Sequence, residues 1–148
     1  MKYFSTNDKS VKVSFREAVL NGIPLDKGLY FPEKIPSLNK DFFEKLPNLS
    51  NDQIAFECIL KFTEKDIDKV SLRKIISETI NFKFPCKKLS NDISVLELFH
   101  GPTMAFKDVG ARFTSRVLSY FNSFSDKKVT VLVATSGDTG AAVASGFH

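Results

Sequence analysis

The sequence predicts an α/β protein in which a mostly helical first part precedes the start of a parallel-sheet domain. Two observations carry this reading. Between Met1 and Lys88, apolar residues recur at helical spacing in short runs bounded by caps, glycines and prolines. From Ser94 to His148, strand-like and helix-like runs alternate in the order β-α-β-α, the pattern of a sheet with right-handed crossovers. A length of 148 residues suits one domain, or one small domain plus part of another, and the composition shift places the boundary at 88/89.

The elements follow in chain order. Ser14-Phe-Arg-Glu17 is a capping box, so a helix should run to about Leu20 and stop at Gly22. Gly28 to Phe31 is a short apolar strand or turn closed by Pro32. Lys40 to Leu46 is a short helix ended by Pro47. Asn51 to Phe62 puts Ile54, Ala55, Cys58, Ile59 and Phe62 on one stripe, and Ser71 to Asn81 does the same with Leu72, Ile75, Ile76, Thr79 and Ile80. In the second part Ser94–Phe99 is strand-like, and a helix runs from Ala105 to about Phe121 with Val109, Phe113, Val117, Tyr120 and Phe121 on one face. A polar loop covers Asn122–Lys128. Val129–Ala134 is a continuous apolar run, as expected of a strand buried on both faces of a parallel sheet. Thr135–Gly140 is a loop, and a last helix begins at Ala141. Two parallel strands and one and a half helices do not close an α/β domain, so the expectation is a fragment, or a chain that needs a partner to complete its sheet.

Composition narrows the function classes. The net charge is +4, from 21 basic and 17 acidic residues spread along the chain, with no basic block interleaved with aromatics, which argues against a nucleic-acid partner. The two cysteines, Cys58 and Cys86, have no C-x-x-C spacing, and His100 and His148 have no ligand spacing to them, which argues against a metal site. No apolar leader and no run of membrane-spanning length is visible, so the expected setting is the cytoplasm, with reduced thiols and no membrane partner. Ser-x-x-Lys occurs three times, at Ser37, Ser71 and Ser125, which shows how little that pattern specifies.

Two segments carry candidate chemistry. Lys107 follows the turn His100-Gly101-Pro102-Thr103 and sits in the first turn of the expected helix, beside Met104, Ala105 and Phe106. A helix N-terminus disfavours a cation, and a neutral amine is the form that attacks carbonyls and forms Schiff bases; the competing reading is an ordinary surface lysine. Thr135-Ser136-Gly137-Asp138-Thr139-Gly140 lies between a strand-like run and a helix. Its backbone N–H groups and hydroxyls suit a carboxylate or small phosphate ester, and its glycines allow close approach. It lacks the sequence of a nucleotide-binding loop; the competing reading is a polar turn with a helix cap. Asp138 works against bulk phosphate and better suits a hydroxyl or another donor. Arg112 either faces the cleft or pairs with an acid. Ligands bind beyond the carboxyl ends of parallel strands, so both segments would meet in one cleft.

Leu98-Phe-His-Gly-Pro-Thr-Met-Ala-Phe-Lys-Asp108 closely resembles the cofactor-lysine segment of threonine synthases, with Met104 where Leu is more usual, and Val133-Ala-Thr-Ser-Gly-Asp-Thr-Gly-Ala-Ala142 resembles their substrate loop. Val13–Val19 and Gly28–Pro32 are similar to that family's N-terminal domain. The resemblance implies residues 1–88 as that domain and 89–148 as the first part of a pyridoxal-phosphate catalytic domain of fold type II, tryptophan-synthase-β-like. It implies a lyase that converts O-phospho-L-homoserine and water into L-threonine and phosphate, through a Schiff base on Lys107. By the same resemblance Asp138 lies near the cofactor's 3-hydroxyl and Phe106 packs near the cofactor, while Thr135, Ser136, Gly137, Thr139 and Gly140, with Arg112, face the substrate. Family members are several hundred residues long and carry a later Gly/Asn-rich loop for the cofactor phosphate. The 148-residue piece alone is therefore expected to be inactive, to hold cofactor poorly and to be open to self-association. A phospho-lyase acting on O-phosphohomoserine shares both motifs, and a non-catalytic small-anion-binding α/β module is the alternative of another class.

Overall fold

The computed structural model describes residues 1–63, 65–125 and 128–148, which divide into two compact units, Met1–Ile76 and Ser77–His148. Among these residues the fold is mixed α/β, with six α-helices and two small sheets.

In the first unit, β1 (Tyr3–Ser5) and β2 (Lys12–Val13) lead into α1 (Phe15–Asn21), and β3 (Tyr30–Pro32) follows. The three strands form an antiparallel sheet ordered β2-β1-β3, with Tyr3 opposite both Val13 and Pro32. Sequence patterning marks only the run at Gly28–Phe31 as extended. β1 and β2 are too short for a period-two pattern to show, so this unit holds more sheet than expected. The capping box of α1 is formed as expected: Ser14 Oγ accepts from the Glu17 N–H at 3.1 Å, and Glu17 accepts from the Ser14 N–H at 2.7 Å. Gly22 ends the helix at φ 70°, a conformation that glycine adopts without penalty.

Three helices complete this part of the chain. α2 (Lys40–Lys45) starts at Asn39, whose side chain accepts from the Phe42 N–H at 3.0 Å, and passes into a 3-10 turn at Leu46–Asn48. α3 (Asn51–Thr63) has a second reciprocal cap between Ser50 and Gln53. α4 (Lys69–Thr79) starts two residues before the expected Ser71, because Asp68 Oδ1 accepts from the N–H groups of Val70 and Ser71 and so acts as its N-cap. The expected α4 stripe is buried at Leu72, Ile75, Ile76 and Thr79. The Arg73 guanidinium lies 3.7 Å from the Phe56 ring centroid and ties α4 to α3.

The second unit departs further from expectation. β4 (Cys86–Lys88) and β5 (Ser94–Leu96) form an antiparallel hairpin, with Lys87 opposite Val95. The segment expected as the first strand of a parallel sheet therefore pairs with its immediate upstream neighbour, and it ends at Leu96 rather than Phe99. α5 (Lys107–Asn122) starts two residues later than the predicted Ala105. The polar loop expected over Asn122–Lys128 lies partly outside the described residues. Val129–Ala134, expected as a buried strand, joins no ladder among the described residues and is exposed, Leu132 by 90%. A run of apolar β-branched residues needs neighbours on both sides to become a buried strand, and the described residues supply none. α6 (Asp138–Phe147) begins three residues earlier than expected, so Asp138, Thr139 and Gly140 form its first turn.

α5 and α6 are packed along each other through small residues. Ala142 is fully buried, and a Cβ added to Gly146 would come within 3.0 Å of the Ala111 carbonyl oxygen. Val117 and Phe121, predicted for the inner face of α5, are buried.

Tyr3 gives the first unit a pH signature. Its hydroxyl donates to the Phe62 carbonyl at 3.1 Å, and burial, then the nearby Asp66 charge, push its pKa up from 10.0 to about 12. Unfolded, the phenol loses its proton near pH 10; folded, it keeps it to about pH 12. The resulting stabilisation is fully present below pH 10 and is lost as pH rises toward 12. In urea unfolding, Tyr3→Phe should show a shallower decline of midpoint than the parent over that interval.

Candidate active site

The turn before α5 is built around one buried carboxyl group. Asp108 is 0% exposed. Its Oδ1 accepts from the Thr103 hydroxyl at 2.5 Å, and its Oδ2 accepts from the Thr103 N–H at 3.0 Å. Gly101 lies against the same side chain, where a Cβ would collide with Asp108 Oδ2 and Cβ. Between these fixed points the chain must reverse within a few residues, and Met104 adopts φ 56°, a left-handed conformation that is uncommon for a side chain of its size. The Met104 N–H donates to the Gly101 carbonyl at 3.1 Å, and the Asp108 N–H to the Ala105 carbonyl at 3.0 Å. Lys107 emerges as the first residue of α5, and its Nζ lies 5.6 Å from the Phe106 ring centroid. Phe106 itself is 64% exposed.

Lys107 opens onto a cavity of about 420 Å³ between α5 and α6. Gly110, Ala111 and Thr114 line it from α5, and Thr139, Ala142 and Val143 from α6. The lining is mainly apolar, with Lys107, Thr114 and Thr139 as the residues in it that carry polar side-chain groups. The structure thus brings Lys107, Phe106 and Thr139 of the predicted set to one cavity. Thr135, Ser136, Gly137, Asp138 and Gly140 lie at the adjoining start of α6 and are not among its lining residues.

That helix start is open. No side chain caps it, and its first internal bond is the Ala141 N–H to the Gly137 carbonyl at 2.8 Å. The first N–H groups of a helix have no acceptor within it, an arrangement that favours an anion. Gly137 sits at φ 149°, open only to glycine in practice, and the Thr135 hydroxyl accepts from its N–H at 3.3 Å. Gly140 fits under the Thr135 methyl, where a Cβ would stand 2.5 Å away. Asp138, as the first residue of α6, sits at the end of the helix that favours a negative charge.

Arg112 is placed differently from the expectation that it faces substrate. Its guanidinium donates to the Thr79 carbonyl at 3.0 Å, to the Glu78 carbonyl, and to Asn81 Oδ1 at 2.9 Å. It thereby satisfies the carbonyls left open at the end of α4, and it does not line the cavity. Burial, then the neighbouring Arg116 charge, lowers its pKa, while Asp108 and Glu78 oppose the shift. His100 braces the turn through a 2.7 Å contact with Glu97. Sequence reasoning missed Thr103 and Asp108. The available signal was an Asp in the first turn of a helix with a Thr five residues upstream, a pair able to close a ring around the turn. Among the described residues, no group of three or more His, Cys, Asp or Glu could hold a metal ion, and no helix is long and apolar enough to cross a membrane.

A family model described as the threonine synthase N terminus matches residues 2–80, more than half of the chain. The chain belongs to that family. Threonine synthase of Buchnera aphidicola subsp. Acyrthosiphon pisum is 39% identical over 149 residues, covering 100% of this chain and 34% of that protein. The crystal structure of threonine synthase from Escherichia coli superposes with a TM-score of 0.93 at 36% identity, over 100% of this chain and 34% of that one. A pyridoxal-phosphate-bound threonine synthase from Brucella melitensis gives 0.93 at 33% identity, over 99% and 33%. The chain thus spans about a third of the length of these relatives.

The open helix start depends on a backbone that only glycine holds easily. Gly137→Ala should cost about 1–2 kcal/mol of stability. Gly140→Ala should cost less, because the Thr135 methyl can rotate away. Urea unfolding of both variants measures the difference, and equal losses would contradict it.

Proposed function

We propose that this chain is the lysine-bearing first third of a threonine synthase, a pyridoxal-phosphate lyase that forms L-threonine and phosphate from O-phospho-L-homoserine and water in the cytoplasm. The observation that carries the reading is Lys107 at the first position of α5, opening onto an apolar cavity shared with the start of α6. The likeness to threonine synthases over the whole chain supports it. In this reading residues 1–88 form the family's N-terminal domain, and residues 89–148 begin the catalytic domain.

The residues present fit the cofactor's aldehyde and ring. Lys107 lines a cavity of about 420 Å³ whose walls are mostly apolar, with Phe106 at its edge. Lys107 would attach the cofactor covalently, Phe106 would pack beside it, and Asp138 would lie near its 3-hydroxyl. When bound, pyridoxal phosphate supplies an electron sink for the substrate's Cα and Cβ. The chain's own residues do the rest. The Lys107 amine would take the proton from the substrate's Cα. Ser136, Thr139 and the open N–H groups of α6 hold the substrate carboxylate, and Gly137 and Gly140 let it approach the backbone. Arg112 holds the end of α4 against α5.

Reaction with pyridoxal phosphate and borohydride, followed by peptide mapping, tests this reading. Lys107 should take a larger share of label than any other lysine, and Lys107→Ala should lose that share without gain elsewhere. The 148-residue chain alone should release no threonine from O-phospho-L-homoserine. Label spread evenly over the lysines would overturn the assignment.

A further inference from the structure

We propose that Asp108 is the positioning residue of Lys107: its buried carboxyl group grips both donors of Thr103 and so fixes the turn from which Lys107 starts α5. The inference deepens the reading of Lys107 as the cofactor-attaching residue and rests on it.

Three observations converge on this one group. Asp108 is wholly removed from water, so each of its oxygens needs a protein donor; the hydroxyl and N–H of Thr103 supply one each, at 2.5 and 3.0 Å. Those two bonds close a ring over residues 103–108, and Lys107 is inside it. Gly101 packs against the same carboxyl group, so the turn cannot shift toward α5. Met104 is held at φ 56°, a conformation that the surrounding bonds must enforce. Its side chain is largely exposed and gains little packing there, so the strain is sustained by the turn and not by burial of the thioether. Asp108 is not among the residues that line the cavity. It acts through the backbone, by choosing where α5 begins and therefore where the Lys107 side chain leaves the helix. With the ring opened, Met104 can relax to a right-handed or extended conformation, the first turn of α5 frays, and the Lys107 amine leaves the cavity.

The experiment compares the parent chain with Asp108→Ala, Thr103→Val and Thr103→Ser. The readouts are acetylation of each lysine by acetic anhydride, labelling by pyridoxal phosphate with borohydride, and amide hydrogen exchange. In Asp108→Ala and Thr103→Val, acetylation of Lys107 should rise while its share of pyridoxal label falls, and exchange over residues 103–110 should quicken by about tenfold. General unfolding would instead raise both reactions at every lysine. Thr103→Ser keeps both donors and should behave as the parent does. Should Asp108→Ala fail to fold, Thr103→Val, which removes a single donor, decides. Unchanged acetylation and exchange at Lys107 in the folded variants, or a Thr103→Ser that behaves like Thr103→Val, would overturn the proposal. A parent chain in which pyridoxal phosphate shows no preference for Lys107 would defeat the functional reading instead, while acetylation and exchange still decide the positioning role.

Discussion

A buried carboxyl group gripped by Thr103 is the constraint from which the second unit takes its form. Asp108 cannot be solvated where it lies, so Thr103 must be brought to it, and the chain between them must turn tightly enough to force Met104 into a left-handed conformation. The helix register follows. α5 can begin only after that turn, and Lys107 becomes its first residue.

The second requirement is a wall for the amine to face, and small residues provide it. Ala142 and Gly146, one turn apart on α6, let that helix approach α5 closely enough that the Ala111 carbonyl lies 3.0 Å from where a Cβ on Gly146 would sit. Close helices leave an apolar cavity beside Lys107, and they aim the uncapped start of α6 toward the same side of the unit. Arg112 serves this arrangement from outside the cavity lining. Its guanidinium donates to the carbonyls of Glu78 and Thr79 and to Asn81, which ties α5 to the end of α4. A half-buried guanidinium so well supplied with acceptors is a brace, and sequence spacing alone could not separate that job from a substrate contact.

Local signals were legible where they act locally. The capping box at Ser14, the stop at Gly22 and the stripe Leu72–Ile75–Ile76–Thr79 depend on neighbours within a turn or two, and the structure realises each of them. Sheet pairing depends on which segment lies alongside, and there the reading failed. Ser94–Leu96 carries the same apolar signal whether it joins a parallel sheet or folds back on Cys86–Lys88, and the near neighbour costs less loop entropy. Val129–Ala134 has the composition of a buried strand yet stands exposed, because burial comes from flanking elements and not from the strand itself. The starts of α4 and α6 shifted for a simpler reason: Asp68 and Asp138 are acids at helix N-termini, and a search keyed to apolar periodicity begins counting too late. At the site, the lysine and the glycine-rich loop could be seen as motifs, whereas the clamp that orients the lysine involves a pair five residues apart that no periodicity reveals.

The most direct measurement joins residues 1–148 to the remaining two-thirds of the Escherichia coli relative and follows threonine formation from O-phospho-L-homoserine. If Lys107 and the start of α6 are what this account takes them to be, the joined protein forms threonine and phosphate together, and Lys107→Ala abolishes both without unfolding it. A folded chimera that binds pyridoxal phosphate but forms no threonine, or one whose turnover survives Lys107→Ala, would contradict it.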